Sequence, residues 1–155
     1  MDFPIRITPL LRPLLFPVRA TGDRAHAHVG GGRVTVEFGL LFRGSFPIEQ
    51  IEHVSRSSWP WWNGLGLRLG ARGRCGVIGS LDGIVCLHFT QPQRVKIPVP
   101  WRCRELYVSL QDPDGFIATV VLSRPHKLNA LTKPMWRRLG EVFAELAADR
   151  ELRCV

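Results

Sequence analysis

The chain has 155 residues, 45% hydrophobic and 22% charged, a balance that excludes an intrinsically disordered polymer and fits one domain, or one domain plus a fragment. The net charge is +8, and most of it lies in residues 1–111, which hold 14 basic against 7 acidic groups. Those basic residues are dispersed rather than massed in a block, so nucleic-acid binding is not expected.

Residues 7–18, ITPLLRPLLFPV, open the chain with an apolar run broken by three prolines and one arginine. It lacks the layout of a signal peptide and is too short and too interrupted for a membrane span, so it predicts an extended lead-in lying over a core. AHAHV (25–29) and RVTVEF (33–38) alternate in period two around GGG (30–32), which predicts a hairpin with glycines at positive φ. His26 and His28 then share one face of their strand. GLLFR (39–43) reads as a continuation or bend of the second strand. In FPIEQIEHV (46–54) the three-residue spacing of Ile48, Ile51 and Val54 suggests a helical turn, while Pro47 and the β-branched content favour a bulged strand. RCGVIGS (74–80), IVCLHF (84–89), RVKIPV (94–99) and ELYVSL (105–110) are four further strands, with turns at 81–83, 90–93 and 100–104. DPDGF (112–116) carries a capping Asp112, Pro113 at the first helical position and Asp114 at the dipole's positive end. ATVVL (118–122) is β-branched, so the same segment reads equally as strand. Met135, Trp136, Leu139, Val142, Phe143 and Leu146 repeat at helical spacing and predict an amphipathic helix over about 133–148.

Few residues offer chemistry. Cys75, Cys86, Cys103 and Cys154 form no C-x-x-C pair, and buried free thiols of a cytoplasmic protein are the expected state. The five histidines lack metal or triad spacing, and the serines lack a nucleophile-elbow context, so neither a metal nor a catalytic residue is assigned. Glu141 and Glu145 lie on the polar helix face and read as solvated. SRSSWPWWNGLG (55–66) has two readings. Trp59, Trp61 and Trp62 with Arg56 and Arg68 could form an aromatic and basic rim for a ligand or lipid headgroups. Alternatively the loop folds over a sheet edge and the indoles fill the core, the commoner fate of tryptophan in a small domain.

Two family resemblances follow from longer motifs. TPLLRPLLFP (8–17), FGLLF (38–42), FPIEQIEHVSRSSWPWWNGLG (46–66), RGRCGVIGS (72–80), QRVKIPVP (93–100) and LYVSLQDPDGFIA (106–118) resemble a family of small uncharacterised bacterial proteins with a pleckstrin-homology-like barrel, spanning residues 5–117. That resemblance implies a barrel closed by a helix starting at the DPD segment. ATVVLSRPHKLNAL (118–131) with residues 132–155 resembles the start of the crotonase superfamily, the enoyl-CoA hydratases and isomerases. It implies a strand at 118–122 and coenzyme A contacts around His126, Lys127 and Leu128. In that superfamily the two amide donors of the oxyanion hole and the catalytic carboxylates come later in the chain than any residue present here.

The expected architecture is mainly β (α+β): a small antiparallel barrel or sandwich over residues 1–112, then a strand-or-helix junction and one amphipathic helix within 113–155. The expected function is a non-catalytic, cofactor-free, cytoplasmic module binding a protein or a membrane surface, fused to an incomplete crotonase segment. The alternative is the front of an enoyl-CoA hydratase/isomerase, with a coenzyme A thioester as its substrate.

Overall fold

A computed structural model describes residues 1–20, 24–97, 101–123 and 137. The chain divides into a first unit, Met1–Arg124, and a second, Pro125–Val155. In the second unit Arg137 is helical and exposed. The remainder of the expected 133–148 helix, with Glu141, Glu145 and Cys154, lies outside the described residues.

The first unit contains two sheets. β1 (Asp2–Pro4), β2 (Ala25–Gly30), β3 (Arg33–Phe38) and β4 (Phe42–Pro47) pair in sequence order. β5 (Ile51–Arg56), β6 (Gly66–Gly70), β7 (Arg74–Ile78), β8 (Ile84–Val95) and β9 (Trp101–Ser109) pair in the order β5-β8-β9-β7-β6. Bridges Ile5–Leu110 and Arg43–Lys96 tie one sheet to the other.

Period-two alternation builds the core. Ala25, Ala27, Val29, Val34, Val36, Phe38, Phe42 and Phe46 are buried from the first sheet, and Val77, Val85, Leu87, Leu106 and Val108 from the second. Each large apolar side chain removed from water contributes about 1.5–3 kcal/mol. The expected hairpin forms with Gly31 and Gly32 as its two-residue turn, at φ 58° and 71°.

Several expectations require correction. Of the two readings of GLLFR, the bend holds and the continuation of β3 does not. Gly39 turns the chain at φ 56°, where a Cβ would strike the backbone of Val18 and Ala20, and β4 returns antiparallel with Phe38 opposite Phe42. In 46–54 both features occur: a 3-10 turn at Ile48–Gln50, then β5 with a register shift between Ile51 and His53. The supposed turn at 90–93 lies inside the single strand β8; Pro92 has no N–H to donate, and the register with β9 shifts between His88 and Gln93. The supposed turn at 100–104 is mostly β9. The second sheet is also not wholly antiparallel. β7, β8 and β9 reverse in succession, so β7 and β9 point the same way, and as neighbours they pair in parallel. The lead-in is coiled rather than extended: a 3-10 turn at Pro9–Leu11 runs into α1 (Arg12–Leu15), because proline at the start of a turn forfeits no helical hydrogen bond. Leu15 alone of α1 is buried.

At 112–122 the helix prevails. In α2 (Pro113–Leu122) the Asp112 carboxylate accepts from the Gly115 N–H at 2.9 Å. Phe116 and Val120, one turn apart, are buried, and Phe116 meets Phe3 edge-on with centroids 5.3 Å apart. Cap and burial together override the weak helix propensity of Thr119, Val120 and Val121. α2 packs against β5, β2 and β8. Among the described residues no helix is long and apolar enough to cross a membrane.

Candidate functional site

The outward face of the second sheet carries its chemistry. On β9, Leu106 and Val108 point into the core, so Glu105 and Tyr107 project from the other side. Cross-strand register aligns His53, His88, Glu105 and Arg74 in one row across β5, β8, β9 and β7. The next row runs Ser55, Cys86, Tyr107, Gly76 and Arg68.

These groups are bonded to one another. The rings of His53 and His88 stack with centroids 4.0 Å apart and planes 15° apart. His88 Nδ1 lies 4.0 Å from Glu105 Oε1, Arg74 Nε donates to Glu105 Oε2 at 3.0 Å, and Tyr107 Oη donates to the same oxygen at 3.1 Å. Gly76 leaves a gap in the second row, and Trp59 fills it. A Cβ at Gly76 would stand 2.7 Å from Trp59 Cη2. Trp59 also lies 5.3 Å from the Tyr107 ring and donates its indole N–H to Gly64 O at 2.9 Å.

Burial tunes the titrating groups. Desolvation first, then the neighbouring His53, hold His88 below the ordinary imidazole value, with Glu105 opposing. Desolvation pushes the Cys86 thiol up to about 11, and it raises the Tyr107 phenol with help from Cys86. Cys103 is raised by its hydrogen bond with Cys75 and by burial. Cys86 and Tyr107 are therefore held protonated at neutral pH, and Cys86 is not a thiolate there. Cys75, Cys86 and Cys103 are buried free thiols, as expected. No group of three or more His, Cys, Asp or Glu among the described residues is placed to hold a metal ion.

Beside this face the 57–65 loop and the turn after β6 enclose an open groove of about 670 Å³, lined by Ser58, Trp59, Asn63, Arg72, Arg74 and Tyr107 among others. At the loop's tip a 3-10 turn, Trp61–Asn63, presents Trp61 and Trp62 at 73% and 71% exposure, edge to face with centroids 6.0 Å apart. The expectation that these indoles fill the core fails for both; only Trp59 is half-buried. The turn is fixed by its own backbone bonds, Asn63 N–H to Pro60 O and Gly64 N–H to Trp61 O. Arg56 is engaged elsewhere: its guanidinium grips the Asp114 carboxylate at 2.7 and 2.6 Å and joins β5 to α2.

His126, Lys127 and Leu128 lie outside the described residues. The strand implied at 118–122 by the crotonase resemblance is helical. Sequence reading missed His53, His88, Glu105, Tyr107 and Arg74 as a cluster. Period two in IVCLHF and ELYVSL does place Cys86 with His88 and Glu105 with Tyr107, yet the register that brings the pairs together is not local.

Compared with family models, curated proteins and solved structures, the chain matches none. The function is therefore read from the site itself.

Proposed function

We propose that the first unit is a non-catalytic binding module of pleckstrin-homology-like architecture that docks on an anionic membrane surface through Trp61 and Trp62. Two bridged sheets with a helix packed after the last strand support that architecture. The parallel β7–β9 pair departs from an all-antiparallel barrel.

The observation that carries the docking is the adjacent pair of exposed indoles on a loop whose backbone is already ordered. An indole has an apolar body and a polar N–H, and it partitions to the headgroup level of a bilayer. Arg68 is exposed on β6, its guanidinium beside Gly64 of the loop, and Arg72 is exposed on the turn that lines the groove. Basic groups near an anionic leaflet contribute about 1 kcal/mol each. The enoyl-CoA alternative receives no comparable support from the described residues.

Co-sedimentation with phosphatidylserine-containing vesicles tests the reading. The chain should pellet with anionic vesicles and less with neutral ones, and Trp61→Ala/Trp62→Ala should weaken binding by about tenfold or more. Equal recovery with and without lipid would end the membrane reading.

A further inference from the structure

The groove beneath the docking loop has a separate chemistry. Its Trp59 wall is pre-set: the indole N–H is bonded to Gly64 O, and the ring occupies the gap left by Gly76. Its charge is positive. Arg72 and Arg74 line it, Arg68 lies against Gly64, and the Glu105 carboxylate pairs with Arg74. Glu105 is already committed to Arg74 and Tyr107. Arg72 is exposed and sits at φ 62°, a left-handed conformation uncommon for a residue with a Cβ, on the turn between β6 and β7. Ser58 and Asn63 add an exposed hydroxyl and amide to the rim.

We infer that this groove binds a planar aromatic anion, its ring against Trp59 and its carboxylate or phosphate against Arg72. An aromatic wall supplies stacking area, and a guanidinium fork matches the two oxygens of either acid. The volume, about 670 Å³, is that of a small-molecule site. This goes beyond membrane docking, because the ligand is soluble and its binding needs no lipid.

Titration calorimetry of the full chain without lipid tests it, using adenosine 5′-monophosphate and 2-aminobenzoate as the phosphate and carboxylate probes. At least one anion should bind with a Kd below about 1 mM, and its uncharged counterpart, adenosine or aniline, about tenfold more weakly. Arg72→Gly should lower affinity about tenfold while keeping the fold, because glycine adopts this φ freely. Trp61→Ala/Trp62→Ala should leave it unchanged, which separates this site from the docking loop. No binding of either anion at about 10 mM, or undiminished affinity in Arg72→Gly, would overturn the inference.

Discussion

The two sheets of the first unit follow the same period-two rule and use it differently. In the first sheet, inward residues are apolar and outward ones, such as Thr35, Glu37, Arg43 and Ser45, form short surface contacts. Its strands pair in sequence order, and from β2 to β4 each turns into the next. The second sheet crosses over, carries two register shifts, and presents a row of titrating and aromatic groups that bond to one another. One sheet is a scaffold whose outer face is interchangeable. The other has an outer face as specified as a core.

The largest expected effect tests whether the two sheets are one cooperative body. Phe116 joins α2 to Phe3 of the first sheet and is fully buried. Phe116→Ala should cost about 3–5 kcal/mol in urea unfolding. Tryptophan fluorescence, which within the first unit reports only on the second sheet and its loop, should still coincide with the NMR signals of His26 and His28 in the first. Two separate transitions would break the comparison by making the sheets independent.

A smaller effect tests the outer faces directly. Gly76→Ala should cost about 1–3 kcal/mol and red-shift the fluorescence as Trp59 is lifted off the sheet. Thr35→Val, on the outer face of the first sheet, should stay within about 0.5 kcal/mol. Equal costs would erase the distinction.

The smallest is a pH dependence. His88 is held below the ordinary imidazole value, so the fold favours its neutral form over the protonated one. That contribution is complete above the unfolded-state pKa and is lost as pH falls from there toward the folded value. The wild-type midpoint should therefore drop between about pH 7 and pH 5, and His88→Gln should flatten part of the drop. Identical slopes would show that His88 does not couple protonation to the fold.

Much of the first sheet was readable from local text. GGG marks its hairpin, and alternation names its buried residues. The α2 cap was readable too, but cap and β-branching disagreed, and only the burial of Phe116 and Val120 decides between them. The second sheet resisted. Two glycines within the five residues of β6 hide it, and Pro92 looks like a turn while lying inside a strand. The pairing of β7 with β9 depends on which edge β8 leaves open, a global outcome. The exposed Trp61–Trp62 pair runs against the usual fate of tryptophan, so sequence alone left the rim and the core readings both open there.

The stitch between the two ends of the first unit has a kinetic consequence. The Arg6 N–H donates to Ser109 O, the Gln111 N–H to Pro4 O, and the Ser109 hydroxyl to Arg6 O. No early fragment can supply those partners. During synthesis β1 can pair with β2 early, whereas the bonds from Pro4 and Arg6 to residues 109–111, and the cover that Phe116 gives Phe3, form only once β9 and α2 have cleared the ribosomal tunnel. The two sheets are thus joined late, when the end of the first unit returns to the residues that follow β1.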